Sequence, residues 1–290
     1  MSAPSNPAPR GDPIPRAGVI AWPVRHSLSP RIHGFWLKRH GLAGSYEPLA
    51  VPLAIFEPYL RCLLSEGYAG ANVSLPHKLS ALGLCDRLSE RAKRIGAVNT
   101  LVFSDGIIEG DNTDGFGFLE NLAQSAPAAW RAADGPAVLL GAGGAARAVV
   151  AALLDAGVPS IRLVNRTLAR AEELAEAFGA AVEPLDWTGA AAALEGANVL
   201  VNSTSLGLEG QPPLDLDLAA LPPGALVTDI VYAPMETPLL RAAKARGNPV
   251  VDGLGMLLHQ ARPGFEAWFG VAPEVDAELR AAVLAPKTLP

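Results

Sequence analysis

The hydrophobic positions of this chain switch repeatedly between the alternating spacing of a strand and the three-to-four spacing of a helix. A hairpin is also indicated, turning at Ser104-Asp105-Gly106. Ser29 stands just before a helical stretch and is predicted to cap it. In the first half the pattern predicts strands at 18–22, 46–51, 70–75, 97–103 and 107–110, and helices at 30–40, 54–65, 78–84, 88–95 and 115–124.

The alternation resumes after residues 125–135, and this interruption predicts a domain boundary. An alanine-rich run at 189–197 is predicted to be helical. Strands that alternate with helices are typical of the α/β class with mostly parallel sheets. In the second half the pattern predicts strands at 137–140, 161–165, 181–183, 198–203, 226–230 and 249–252, and helices at 145–156, 169–178, 256–262 and 273–284.

The bulk composition narrows the class of protein. With 290 residues, of which 50% are hydrophobic and 18% charged, the chain is long enough for two folded domains. A net charge of −6 argues against a nucleic-acid partner, because phosphates attract a basic surface. No apolar run approaches the roughly 20 residues of a membrane span, and no signal peptide is recognisable, so we expect a cytoplasmic protein without a membrane partner. Residues 1–15 are predicted to form a flexible tail.

The clearest local motif follows the predicted strand at 137–140. Gly141-Ala-Gly143-Gly-Ala-Ala146 has the G-x-G-x-x-A form, directly before a helical segment. In such a turn the first glycine permits the sharp bend, the second lets a pyrophosphate approach the backbone, and the small third residue lets helix and strand pack closely. Free N–H groups at the helix start then face the phosphates. The motif predicts a dinucleotide site.

The end of the next predicted strand bears on the choice of nucleotide. An NAD site places an acidic residue there, to bind the ribose 2′-hydroxyl. This chain has Asn165-Arg166-Thr167, with Arg170 one turn later. A guanidinium is a good partner for a 2′-phosphate, so the sequence favours NADP(H). The alternative, that Arg166 only lies on a solvated helix face, leaves the missing acid unexplained.

Eight short motifs then occur in one order along the chain, and together they resemble the shikimate dehydrogenase family from about residue 18 to 269. Individually most of them are weak signals. They are His26-Ser-Leu-Ser-Pro30, Asn72-Val-Ser-Leu-Pro-His-Lys78, Gly96-Ala-Val-Asn-Thr100, Gly110-Asp-Asn-Thr-Asp-Gly115, Gly141–Ala146, Asn165-Arg-Thr167, Asn202-Ser-Thr-Ser-Leu-Gly207 and Gly255-Met-Leu-Leu-His-Gln260.

The resemblance implies reversible reduction of 3-dehydroshikimate to shikimate with NADPH, without a metal. It implies a substrate domain at 16–118, completed by helices at 253–290, and a Rossmann-type NADP domain at 119–252, separated by a cleft. Lys78 and Asp114 match the family's catalytic pair. The matches for substrate binding are Ser27, Ser29, Ser74, Asn99, Tyr232 and Gln260. Those for NADP are Gly141, Ala142, Gly143, Gly144, Ala145, Asn165, Arg166, Thr167, Arg170, Thr204 and Gly253.

Reduction of a ketone by hydride transfer requires the same types of residue. Hydride addition to a ketone develops negative charge on oxygen, so a cation that also donates a proton lowers the barrier. Lys78 can do both, and Asp114 would keep its ammonium oriented. Serine and amide side chains suit a substrate with neighbouring hydroxyls. The histidines His26, His33, His77 and His259 are not expected to act as bases, and Cys62 and Cys85 are expected to be reduced packing thiols.

Several alternatives remain open at this point. One is a quinate/shikimate dehydrogenase of broader specificity, and Ser74, where the family pattern more often has threonine, suggests some activity on quinate. A second is a related enzyme acting on an amino-shikimate. A third is a non-catalytic NADP-binding regulator, which would have no reason to keep both Lys78 and Asp114. A monomer or a homodimer is equally compatible with the sequence.

Overall fold

The structure, a computed structural model, describes residues 14–286. Residues 1–13, nearly all of the predicted tail, lie outside this range. The described chain forms two six-stranded sheets, flanked by helices, and the prediction of the α/β class is confirmed. Within residues 14–286 no helix combines the length and the apolar character that crossing a membrane requires.

The first sheet is built from the N-terminal part of the chain, in the order β2-β1-β3-β5-β6-β4. Its first three strands are parallel, whereas β5 runs antiparallel to β3 and also to β6, to which the predicted hairpin joins it. The strands are β1 (Arg16–Ala21), β2 (Ser45–Ala50), β3 (Gly70–Val73), β4 (Arg87–Leu88), β5 (Thr100–Ser104) and β6 (Ile107–Asp111). The helices are α1 (Ser29–His40), α2 (Phe56–Ser65), α3 (Lys78–Leu82) and α4 (Glu90–Ile95).

A long helix, α5 (Asp114–Ser125), leads to the second sheet, which is parallel throughout. Its order is β12-β11-β10-β7-β8-β9, the doubly wound arrangement in which ligands bind beyond the carboxyl ends of the strands. The strands are β7 (Ala137–Leu140), β8 (Ile161–Val164), β9 (Val182–Leu185), β10 (Val199–Asn202), β11 (Leu226–Asp229) and β12 (Val250–Val251). The helices are α6 (Gly144–Asp155), α7 (Leu168–Phe178) and α8 (Pro238–Ala245).

The chain then returns to the first sheet through α9 (Leu254–Phe269) and α10 (Ala277–Leu284). Trp36 of α1 packs in one buried cluster with Phe265 of α9 and Val283 of α10. This packing supports our proposal that residues 253–290 complete the unit at 16–118. The proposed boundary at 118/119 falls inside α5, so one continuous helix passes from one unit to the other.

Some sequence predictions were wrong in detail. Ser29 is the first residue of α1 and does not cap it; Leu28 occupies the cap position. Leu88 belongs to β4, because its backbone pairs with Gly110. The alanine-rich run forms only short 3₁₀ turns, and α8 was not predicted.

The largest error concerns the end of α9. Its predicted end was residue 262, directly before Pro263, and a proline inside a helix lacks an N–H group and crowds the preceding turn. The helix continues to Phe269, and Phe265 and Trp268 are almost fully buried. Burying two aromatic side chains contributes several kcal/mol, roughly as much as the proline costs or more. Tertiary packing therefore outweighs the local preference.

Candidate active site

The two proposed catalytic side chains each begin a helix, and the fold brings them together. Lys78 is the first residue of α3 and Asp114 the first residue of α5. The Lys78 Nζ lies 2.5 Å from the Asp114 Oδ2, and these side chains are only 14% and 6% exposed. A charge pair shielded from water interacts more strongly than one at the surface. Asp114 therefore fixes the position of the Lys78 ammonium group at the carboxyl edge of the first sheet.

The second carboxylate oxygen of Asp114 is held by an amide. Asn99 Nδ2 donates to Asp114 Oδ1 at 2.8 Å and to Gln260 Oε1 at 3.1 Å. The Asp114 backbone N–H donates to Asn112 Oδ1 at 3.1 Å. Thr113 donates through its hydroxyl to the Gln260 backbone carbonyl at 2.8 Å, so α9 is tied to the start of α5. These contacts leave the carboxylate one orientation.

The three serines assigned to substrate follow the first and third strands. The Ser29 backbone N–H donates to Ser27 Oγ at 3.3 Å, after the end of β1. Ser74 follows β3, and its N–H donates to the Ile20 carbonyl. Its hydroxyl has no hydrogen bond to another side chain of residues 14–286, so it is free to bind a ligand. Parallel strands bring Ser27, Ser29 and Ser74 to the sheet edge from which α3 starts.

Tyr232 reaches this region from the other sheet. It follows β11 and packs against the buried cluster of α1, α9 and α10. Burial raises the pKa of its hydroxyl, which therefore stays protonated and able to donate. The hydroxyl is thus available as a donor on the side of the site formed by the second sheet.

The glycine-rich turn after β7 has the geometry of a phosphate cradle. Gly141 has φ +102°, and a Cβ there would lie 2.9 Å from Ser203 Oγ, so only glycine suits the position. A Cβ at Gly143 would meet nothing within 4 Å, and no side chain among residues 14–286 caps α6 there. The N–H groups of Gly144 and Ala145, next to Ala142 and Gly143, are thus left for an anion. These residues fit a pyrophosphate.

The turn also approaches the proposed catalytic pair. A Cβ at Gly144 would lie 3.6 Å from Lys78 Cβ and 3.7 Å from its Cδ. The start of α6 therefore lies against the aliphatic part of Lys78. This contact joins the proposed cofactor and substrate sites across the cleft.

The remaining residues assigned to NADP lie along the same edge of the second sheet. Arg166 and Arg170 follow β8, are exposed, and form no ion pair within residues 14–286. Asn165 Nδ2 donates to the Thr167 carbonyl at 2.8 Å, which shapes the turn that carries Arg166. Thr204 follows β10 and donates to Asn202 Oδ1 at 2.7 Å. A Cβ at Gly253 would lie 2.6 Å from the Ile230 carbonyl oxygen, so the chain passes too closely for a larger residue.

Comparisons with known proteins agree with this geometry. Residues 19–101 match the shikimate dehydrogenase substrate binding domain, residues 121–207 match shikimate / quinate 5-dehydrogenase, and residues 253–282 match the shikimate 5′-dehydrogenase C-terminal domain. Shikimate dehydrogenase (NADP(+)) of Rhodospirillum rubrum is 64% identical, with 92% of this chain and 96% of that protein covered. The chain belongs to the shikimate dehydrogenase family.

Solved structures of the family have the same fold. The Thermus thermophilus shikimate 5-dehydrogenase, in complex with NADP(H) and shikimate, is 40% identical, with a TM-score of 0.82 over 93% of this chain and 98% of that one. A quinate dehydrogenase from Corynebacterium glutamicum in complex with NAD is 32% identical, with a TM-score of 0.85 over 93% of this chain and 98% of that one. The family thus includes enzymes named for both acids.

Four residues that the sequence analysis did not assign belong to the same polar network: Tyr46, Asn72, Thr100 and Thr113. Asn72, Thr100 and Thr113 lie inside the quoted motifs, beside assigned residues, and that adjacency was the available signal. Tyr46 lies outside every motif, at the start of a predicted strand. Only the tertiary structure brings its hydroxyl to the network.

Three of the histidines, His33, His77 and His259, are placed as packing residues. Burial lowers the pKa of His33 to about 3, and its ring stacks on Tyr46 with a centroid distance of 3.8 Å. Burial also lowers the pKa of His77, whose Nε2 lies 2.7 Å from the Val51 carbonyl oxygen, and that of His259. His26 is exposed and accepts from Arg25. Across residues 14–286, no three His, Cys, Asp or Glu side chains form a metal-binding group.

Proposed function

We propose that this protein catalyses the reversible, NADPH-dependent reduction of 3-dehydroshikimate to shikimate, with Lys78 and Asp114 as the catalytic pair. One observation carries the assignment of the pair: the Lys78–Asp114 ion pair lies directly against Gly144 of the nucleotide-binding turn. The prediction of an NADP-dependent enzyme acting on a CH–OH group is confirmed by family membership and by relatives named for that activity.

In the proposed reaction, Lys78 and Asp114 control the transfer of a proton. NADPH, when bound, supplies the hydride that reduces the ketone. Lys78 donates a proton from Nζ to the carbonyl oxygen as negative charge develops there, and it accepts the alcohol proton in the reverse direction. Asp114 keeps the ammonium in place through its Oδ2, while Asn99 holds its Oδ1. Oxidation releases a proton, so the equilibrium shifts toward 3-dehydroshikimate as the pH rises.

The serine and amide side chains of the proposed site would select a hydroxylated ring acid as the substrate. Ser27 and Ser29 lie together after β1 and would bind the carboxylate, while Ser74, Asn99 and Gln260 would bind the ring hydroxyls. Hydroxyl and amide groups can both donate and accept, which matches neighbouring hydroxyls on a ring. An analogue that lacks a hydroxyl would leave such groups unpaired and bind poorly. Tyr232 would close the site from the side of the second sheet.

Arg166 and Arg170 are expected to select NADP⁺ over NAD⁺. Arg166→Ala or Arg170→Ala should raise the KM for NADP⁺ about 10-fold, because a charge-assisted hydrogen bond to the 2′-phosphate is lost. The KM for NAD⁺ should stay the same. Steady-state rates with each nucleotide at saturating shikimate measure both values. Arg241→Ala is the matched control, since Arg241 of α8 is also exposed and pairs with Glu236, which precedes the helix. An equal rise for both nucleotides would contradict the assignment.

The test of the proposed function is NADP⁺ reduction, followed by the absorbance of the reduced nicotinamide, with shikimate and with quinate. We expect a shikimate-dependent rate and a slower rate with quinate, because Ser74 leaves space that a threonine methyl group would fill. A rate with millimolar quinate that equals the rate without substrate would refute the hypothesis of quinate activity.

Other outcomes identify the alternatives. NADPH binding without turnover of either acid indicates the regulator, or an amino-shikimate as the substrate, and amino-shikimate assays separate these two. We further propose that the enzyme works in the cytoplasm as a monomer or homodimer, in keeping with its net charge of −6 and its small-molecule substrate.

A further inference from the structure

Tyr46 of β2 is a buried tyrosine with a directed hydroxyl. It is 9% exposed, and its OH donates to Asn72 Oδ1 on β3 at 2.6 Å. Burial raises the pKa of this hydroxyl well above its usual range, so it remains a donor. The Tyr46 hydroxyl is therefore a fixed donor to Asn72 in the interior of the sheet.

From Tyr46 a series of hydrogen bonds runs in one direction to the catalytic carboxylate. Asn72 Nδ2 donates to Thr100 Oγ1 at 3.3 Å, and Thr100 Oγ1 donates to Asn99 Oδ1 at 2.9 Å. Asn99 Nδ2 then donates to Asp114 Oδ1 at 2.8 Å. Each residue between Tyr46 and Asp114 accepts one hydrogen bond of the series and donates the next, so the bonds polarise one another toward the negative charge of the carboxylate.

The orientation of each amide in this series is unambiguous. Asn72 Nδ2 also faces the Asn99 carbonyl oxygen at 3.3 Å, which can only accept. The Oδ1 of Asn72 must therefore face Tyr46. Asn99 Oδ1 accepts from the Thr113 backbone N–H at 2.8 Å, which can only donate, so its Nδ2 must face Asp114. Reversing either amide would place donor against donor or acceptor against acceptor.

The ring of Tyr46 is held independently of its hydroxyl. It stacks on His33 at 3.8 Å between centroids, with an interplanar angle of 4°, and lies 6.0 Å from the Trp268 ring. Burial keeps His33 neutral, so no ionic contact is involved. A phenylalanine at this position would keep these aromatic contacts and lose one oxygen atom. The hydroxyl can therefore be tested apart from the packing.

We propose that Tyr46 is a positioning residue for the reaction: its hydroxyl orients Asn72 and, through Thr100 and Asn99, holds the Asp114 carboxylate against Lys78. This inference rests on the proposed function. It adds a residue that acts on the proposed catalytic pair through a series of hydrogen bonds.

The test is Tyr46→Phe, with rates normalised to sites titrated by NADPH binding. We expect kcat for shikimate oxidation to fall about 10-fold, because a buried acceptor on Asn72 loses its partner and the amide series loses its anchor. The KM for NADP⁺ should not change. Tyr68→Phe is the matched control. Tyr68 is also a buried tyrosine, and its hydroxyl accepts a hydrogen bond from Arg16 at 2.7 Å. It lies just before the start of β3, at the end of that strand opposite Ser74. Tyr68→Phe should leave kcat as in the wild type.

A double-mutant cycle separates positioning from packing. If Tyr46 acts through Asn72, Tyr46→Phe in an Asn72→Ala background should change kcat less than twofold. Thr100→Val gives the same cycle if Asn72→Ala does not fold. An unchanged kcat in Tyr46→Phe, or fully additive losses, overturns the inference while the wild type still oxidises shikimate. A wild type without this activity instead overturns the proposed function.

Discussion

Lys78→Met is expected to lower kcat for shikimate oxidation about 10³-fold, the range typical of a lost general acid–base group. Methionine keeps an unbranched side chain, so the contact with Gly144 of the glycine turn should persist. NADP⁺ binding, measured by fluorescence titration, should therefore stay within about twofold of the wild type, since Lys78 is not expected to touch the phosphates. The loss should appear in kcat far more than in either KM.

The control for this variant removes an equal charge elsewhere. Lys93 lies in α4, is exposed and pairs with Glu90 at 2.7 Å, so Lys93→Met should retain full activity. Because we propose that Lys78 and Asp114 act as a unit, adding Asp114→Asn to Lys78→Met should lower kcat little further. A Lys78→Met enzyme with more than a tenth of the wild-type kcat would show that another group supplies the proton.

Gly117→Ala is expected to reduce the free energy of unfolding by about 2 kcal/mol, as overpacking a filled contact does. Gly117 lies one turn after Asp114 in α5, and a Cβ there would lie 2.6 Å from Gln260 Cβ and 2.6 Å from the Met256 carbonyl oxygen of α9. The backbone of α9 has to move away to accept it. Because Gln260 contacts Asn99, the KM for shikimate should rise as well.

The matched control is the same substitution in an open place. Gly34 lies on the exposed side of α1, and a Cβ there would meet nothing within 4 Å. Gly34→Ala should therefore stabilise the protein by about 0.5–1 kcal/mol through helix propensity. Urea unfolding of both variants measures the two effects. Equal midpoints for Gly117→Ala and the wild type would mean that α5 and α9 do not approach this closely.

Much of the nucleotide-binding sheet could be predicted from the sequence, because its determinants are local. Its central strands β7, β10 and β11 are short, fully buried runs, and β7 was predicted at its observed bounds, residues 137–140. The glycines that shape the turn lie within four adjacent residues, 141–144. The absence of an acidic residue after β8 can be read from residues 165–167 alone. Parallel strands then bring these turns to one edge of the sheet without further information.

The first sheet and the C-terminal helices were less predictable. Their boundaries depend on partners distant in sequence: Leu88 becomes a strand residue because it pairs with Gly110, and α9 passes Pro263 because its aromatic residues are buried against α1. Neither partner is visible in a local window, so the local preference gave the wrong element at Leu88 and the wrong end for α9.

The proposed active site shows the same division. The sequence alone determined the family resemblance and the dinucleotide turn, and it predicted the NADP-type end of β8 and the candidate catalytic residues Lys78 and Asp114, because short runs of adjacent residues carry that information. Only the tertiary structure decided that Lys78 lies against Gly144 and that Tyr46 connects to Asp114. Hydrogen bonds are directional and act over about 3 Å, so contacts between residues far apart in the chain exist only once both sheets have formed.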